Sequence, residues 1–186
     1  MPNKVAIVAA LEREVKPIIR SWSLAEREYQ SRKFKFFENE RAVLICGGIG
    51  AEAARRATQA IIALYEPHVV ISVGFAGALE PGMRAGDLFV PQWVVDARDT
   101  SRTETGIGKG TLVSSISIAT TEQKSKLAKS YAAQGVDMEA SAVAHGAQAR
   151  GIRFFAVKAI SDECDFDMPE LDRFIRNEKF CTSQFV

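Results

Sequence analysis

Apolar and polar positions along the chain fall into two repeating patterns, short unbroken apolar runs and longer stretches of helical periodicity. Val5 to Ala10 is a continuous apolar run bounded by charge, the pattern of a strand buried on both faces, and it feeds a helix over Leu11 to Arg20 in which Pro17 limits regularity. Lys33 to Glu38 and Ala42 to Cys46 are β-rich runs joined by the polar group Asn39-Glu40-Arg41, which predicts a hairpin. In the alanine-rich segment Ala51 to Tyr65, Ala54, Ala57, Ile61 and Leu64 recur at three- and four-residue intervals, so a helix is expected there, stopped by Glu66-Pro67. Val69 to Val73 reads as a buried strand that breaks into a glycine-rich loop, Gly74 to Ala78, and Leu88 to Val95 as a further strand after the turn at Pro81-Gly82.

The second half continues in the same manner. Arg98 to Gly110 has no periodicity and reads as a loop, followed by a strand from Thr111 to Ser117. Thr120 or Thr121 caps a helix running to about Ala133, and Met138 to Arg150 is a second alanine-rich helix with Gly151 at its end. Phe154 to Ile160 is a strand ending in Ser161-Asp162, and a last helix is expected over Pro169 to Lys179. Strands alternating with helices predict an α/β fold, a three-layer α/β/α sandwich around a mixed sheet. No repeat, low-complexity tract or long linker divides the 186 residues, so residues 1–186 are expected to form a single domain.

Charge and composition narrow the function. With 24 basic and 23 acidic side chains the formal net charge is +1, and the basic residues are dispersed among acids, so no nucleic-acid partner is expected. The longest apolar runs fall short of the ~20 residues a membrane helix needs, so no membrane span is expected. Met1-Pro2-Asn3-Lys4 leads directly into the first strand without a secretory cleavage pattern, which predicts a cytoplasmic protein. Cys46, Cys164 and Cys181 lack Cys-x-x-Cys spacing and suggest neither disulfides nor structural zinc.

Gly48-x-Gly50-x-x-Ala53, between a strand and a helix, formally matches the dinucleotide fingerprint. The strand after that helix ends in Val73-Gly74-Phe75 and so lacks the acid that would hold a ribose. The glycines then serve either close backbone approach to another small ligand or a plain tight turn. The acidic group Asp162 to Asp167 lacks the spacing of a calcium loop and reads as a solvated helix entry. His68 and His145 have no metal-ligand spacing, and no Gly-x-Ser-x-Gly elbow occurs, so neither a metal nor a serine triad is indicated. What remains is three carboxylates: Glu14 after the first strand, Glu139 at a helix start and Asp162 after the last strand. Each alone reads as a helix-start acid favoured by the macrodipole. In open α/β sheets, however, ligands gather at the carboxyl ends of strands, where Glu14, the loop after Val73 and Asp162 would meet.

Five segments, Val8 to Val15, Cys46 to Gly50, Gly74 to Ala78, Val136 to Ala140 and Ala159 to Asp162, resemble in sequence and order the purine nucleoside phosphorylase and nucleosidase superfamily. The likeness is to the methylthioadenosine/S-adenosylhomocysteine nucleosidase branch and, in the short length, Phe75 and the Thr-Leu-Val-Ser strand, to the hopanoid-associated phosphorylase-like branch. The resemblance implies a partly barrel-like sheet, a purine nucleoside substrate, cleavage of its N-glycosidic bond without a cofactor, and a homo-oligomer. By the same resemblance Asp162 protonates purine N7 with Ser161 positioning it, Glu139 accepts the ribose hydroxyls with Met138 against the sugar, and Glu14 activates water. Ile49, Phe75, Ala76, Gly77, Ile118 and Ala119 would complete the substrate site.

Phosphorylases of the bacterial hexameric type in this superfamily hold phosphate with an Arg and a Ser at positions that here are Ser72 and Phe75, so hydrolysis is favoured over phosphorolysis. A phosphate-using enzyme, with Arg13 or a partner's Arg as anion site, and a nucleoside-binding module without turnover remain the alternatives. Phe75, Ile118 and the short 99–110 region depart from the nucleosidase pattern and motivate the latter.

Overall fold

The computed structural model describes residues 4–167 together with Ile175–Arg176 and Lys179–Phe180. The chain orders as β1 (Val5–Ala9), α1 (Glu12–Ile19), β2 (Ser23–Tyr29), β3 (Arg32–Glu38), β4 (Ala42–Cys46), α2 (Ala51–Tyr65), β5 (Val69–Ala78), β6 (Leu88–Phe89), β7 (Trp93–Asp96), β8 (Arg102–Glu104), β9 (Thr111–Ser114), α3 (Thr121–Tyr131), β10 (Gly135–Asp137), α4 (Ala140–Gln148), β11 (Arg153–Asp162), β12 (Ile175–Arg176) and β13 (Lys179–Phe180). β1 to β11 form one mixed sheet in which β5 is the branch point. Its first half pairs in parallel with β1, its last residues pair antiparallel with β10, and β11 runs parallel along its other edge from Val69 to Gly77.

The layering follows from strand alternation. Val43 and Ile45 of β4 and Ala6 and Val8 of β1 join the cluster packed by α2 and α4, whereas Leu44 and Ala9 point the other way, against Val15 and Ile19 of α1. Further along the sheet Val94 and Leu112 face α4's side, and Val95 and Val113 face Leu127 and Tyr131 of α3. Helices therefore cover both faces, as the α/β/α expectation requires. The cap of α3 is also as expected: Thr120 Oγ1 accepts from the Gln123 N–H and the Gln123 side chain accepts from the Thr120 N–H.

Several elements differ from their sequence reading. β2 had no apolar signature because it is an edge strand, with Ala25 and Tyr29 alone half-buried. The expected loop Gly74 to Ala78 is strand, since β11 supplies ladder partners that local composition does not reveal. Leu88 to Val95 is two strands rather than one, interrupted around Pro91, whose missing N–H suits a break. β8 lies inside the region read as loop, paired with β7, and β10 fits between α3 and α4 in only three residues. The acidic segment after Asp162 forms a turn held by α3 rather than a solvated helix entry. The helix expected over Pro169 to Lys179 falls mostly outside the described residues; within it Ile175–Arg176 is extended and pairs with Lys179–Phe180.

Candidate active site

A cavity of about 190 Å³ opens where β1, β5, β10 and β11 end, and every residue that the family resemblance assigns to the site lines it. Glu14 comes from the first turn of α1, Ile49 from the turn before α2, and Phe75, Ala76 and Gly77 from the second half of β5. Ile118 and Ala119 approach from the segment between β9 and α3, Met138 and Glu139 from the entry of α4, and Ser161 and Asp162 from the end of β11.

Two glycines of β5 make room for two of the acids. A Cβ on Gly74 would lie 2.9 Å from Glu14 Oε2, and one on Gly77 would lie 3.0 Å from Asp162 Oδ2. Two residues of β5, Phe75 and Ala76, separate these glycines, and both carboxylates line the same cavity. A bulge in the β11 ladder between Ile160 and Asp162 sets Asp162 opposite Gly77, the kind of irregularity that re-aims side chains beside active sites.

Each acid has its own surroundings. Glu139 Oε1 accepts the Gly50 N–H at 2.7 Å, so the glycine turn that formally matched the dinucleotide fingerprint has this donor engaged by a carboxylate. Burial, reinforced by the charge of Asp137, pushes Glu139 up to about 7 against the opposing pull of Lys158 and the Gly50 N–H. Glu14 is also raised, chiefly by burial, with the Leu11 N–H and the Lys158 charge working the other way. Asp162 accepts at both oxygens, from Ser161 Oγ at 2.5 Å and from Lys124 Nζ at 2.5 Å, while Ser161 Oγ also lies 3.2 Å from the Ala76 carbonyl.

Two lysines and one aspartate complete the site and were not singled out from the sequence. Lys158 Nζ lies 2.9 Å from Asp137 Oδ2 and donates to Ser72 Oγ at 3.1 Å. Burial favours its neutral form, but Asp137, Glu139 and Glu14 outweigh this and raise its pKa, so it is held as an ammonium. Asp137 also accepts from Ser114 Oγ and from the Ala140 N–H. Periodicity carried the signal: Phe154, Ala156, Lys158, Ile160 and Asp162 share the buried face of β11. Lys124 falls in helical step with Leu127, Ala128 and Tyr131 on the inner face of α3. Among the described residues no group of three or more His, Cys, Asp or Glu side chains is arranged to hold a metal ion.

Such an arrangement can hold a polyol against Glu139, deliver a proton at the Asp162 end and polarise a water at the Glu14 end. Comparison with known proteins places it. The sequence pattern of the phosphorylase superfamily matches residues 4–119 and 111–183. The chain belongs to that superfamily. It is 28% identical over 201 residues to the 5'-methylthioadenosine/S-adenosylhomocysteine nucleosidase of Actinobacillus succinogenes, covering 87% of this chain and 86% of that protein. In structure it resembles the futalosine hydrolase of Helicobacter pylori, with a TM-score of 0.76 at 20% identity over 88% of this chain and 86% of the other. It also resembles the methylthioadenosine/S-adenosylhomocysteine nucleosidase of Neisseria meningitidis solved with methylthio-immucillin-A, with a TM-score of 0.76 at 21% identity over 87% of each chain.

Proposed function

We propose that the protein is a nucleosidase that hydrolyses the N-glycosidic bond of an adenine nucleoside such as methylthioadenosine or S-adenosylhomocysteine. The observation that carries this reading is the meeting of Glu14, Glu139 and Asp162, from three separate elements, around one cavity. Support comes from the Actinobacillus succinogenes and Neisseria meningitidis relatives, which are nucleosidases, and from the methylthio-immucillin-A bound by the latter.

In this mechanism the protonated Asp162 gives its proton to purine N7 as the C1′–N9 bond breaks and its electron pair leaves with the base. The ribose becomes cationic, which strengthens its hydrogen bonds to the Glu139 carboxylate, an interaction worth more in the transition state than in the ground state. Water bonds to C1′ from the opposite face and its proton passes to Glu14. The raised pKa of Glu14 makes it a stronger base than an exposed glutamate. Glu14, Asp137 and Glu139 surround Lys158 in one corner, so the lysine's charge is already countered and a phosphate dianion meets net repulsion there. Water suits this corner better than phosphate. Homo-oligomerisation and a cytoplasmic location belong to the same reading. The highly exposed Leu88 and Ile116 are apolar side chains that an association surface would cover.

The reading is tested by incubating the protein with methylthioadenosine, S-adenosylhomocysteine, adenosine and inosine, with and without phosphate, and separating the products by chromatography. Free base and free sugar, independent of phosphate, are expected. Sugar 1-phosphate formed only with phosphate would replace hydrolysis with phosphorolysis, and binding of nucleoside with no base released would replace the enzyme with a binding module.

A further inference from the structure

Lys124 has no part in the chemistry set out above, yet it is among the largest fully buried side chains of the protein. Its position in α3 is one that a leucine or methionine would fill, beside Leu127 and Ala128. A buried lysine is costly unless its charge is paired and its donors are met. Here all three are: the ammonium donates to Asp162 Oδ2 at 2.5 Å, to the Glu163 carbonyl at 2.7 Å and to the Phe166 carbonyl at 2.9 Å. An ammonium has three N–H donors, so none is left for substrate or solvent.

We propose that Lys124 is a positioning residue for the general acid, fixing the orientation of Asp162 and countering the charge it gains when its proton leaves. The proposal rests on the nucleosidase reading. When the Asp162 proton moves to purine N7, a neutral carboxyl becomes a carboxylate, and the adjacent ammonium, unchanged in protonation, is attracted far more strongly to the product than to the starting acid. Lys124 therefore stabilises the charge that appears on Asp162 as the glycosidic bond breaks. The two carbonyl contacts prevent the ammonium from swinging away, and they bind the turn after β11 to α3, so that acid and counter-charge form one unit. Asp167 extends this tie, accepting at 2.8 Å from both the Thr121 N–H and the Thr121 Oγ1.

Other charges bear on Asp162 and must be weighed. Glu163 follows it in the chain, Asp167 feels the Lys124 charge, and Asp137, Glu139 and Glu14 share the cavity, with Lys158 engaged by Asp137. Of these all but Lys158 are acidic, Arg13 also lines the cavity, and Lys124 is the cation in direct contact with Asp162.

The test uses the full chain and the variants K124M, K124Q and K124R, with two readouts. In protein carrying ¹³C-carboxyl aspartate, the Asp162 resonance, assigned through D162N, is titrated by NMR. Separately, kcat and KM for base release are followed against pH. In K124M and K124Q the Asp162 midpoint and the alkaline limb of the kcat profile are expected to shift together away from their wild-type positions, kcat at the optimum should fall about tenfold or more, and KM should change little. K124R keeps the charge and should titrate near the wild type. A folded K124Q with an unmoved midpoint and an unmoved alkaline limb overturns the proposal. If K124M does not fold, K124Q and K124R carry the same decision. If the wild type releases no base from any nucleoside, the nucleosidase reading fails, and the NMR titration alone then upholds or overturns the coupling between Lys124 and Asp162.

Discussion

Three carboxyl groups with nearly the same intrinsic acidity have different surroundings, and in the proposed mechanism these surroundings suit each to a different task. Asp162 is bonded at both oxygens, Glu139 is raised by burial beside Asp137, and Glu14 is raised by burial alone. Removing the acid isolates its role: D162N is expected to lower kcat by ~10²- to 10⁴-fold while nucleoside binding, measured by calorimetry, survives. Glu139 adds a pH signature. Only its carboxylate accepts two ribose hydroxyls, and its pKa stands at about 7, so KM should rise as pH falls below that value. E139Q should flatten this dependence and raise KM by ~10- to 100-fold, the weight of a hydrogen bond to a charged group. A KM that stays flat from pH 5 to 8 in the wild type would remove Glu139 from sugar binding.

At the scale of elements, β5 organises the site, because it alone pairs with β1, β10 and β11 and so brings their ends together. Its glycines matter for the space they leave. G77A would set a methyl group against Asp162 Oδ2, which lies 3.0 Å from the Cβ position and would have to give by a few tenths of an ångström, disturbing the aim of the acid. The expected outcome is a folded protein with normal thermal stability and sharply reduced kcat; a G77A variant with wild-type turnover would show that the close approach is incidental. The same strand explains part of what the sequence concealed. Gly74 to Ala78 carries loop-like composition and is strand only because β11 lies alongside, while β2 and β8 are polar edge strands defined by their partners. Lys158 and Lys124 were hidden differently: their chemistry says surface, and only the periodicity of their neighbours says core.

Across the whole molecule, the ion pair between Lys158 and Asp137 joins β11 to β10 beneath the site, with both side chains almost fully buried. Breaking one partner leaves a buried charge, so K158M should lower stability by ~3 to 5 kcal/mol in chemical denaturation, with much of it recovered in K158M/D137N. Stability should also depend on pH through Glu139. Its folded pKa of about 7 exceeds the ordinary 4.5, so the folded state holds more protons between these values. Unfolding free energy therefore contains a contribution that is full below pH 4.5 and disappears as pH rises through about 7. In thermal melts from pH 5 to 8, E139Q should decline less than the wild type; equal slopes would contradict the raised pKa.

The main alternation of strands and helices, the capped start of α3, the layering and the choice of three candidate acids were legible in the chain itself. These depend on local periodicity, capping chemistry and runs of apolar residues, which act between neighbours in sequence. Tertiary structure alone decided that β5 continues past Gly74, that Glu14 and Asp162 stand against two glycines of one strand, and that two lysines lie buried beside the acids. The reason is electrostatic and steric. A lysine enters a core only when carboxylates from distant segments are already waiting there, and a glycine becomes a place for a side chain only when another strand end delivers one.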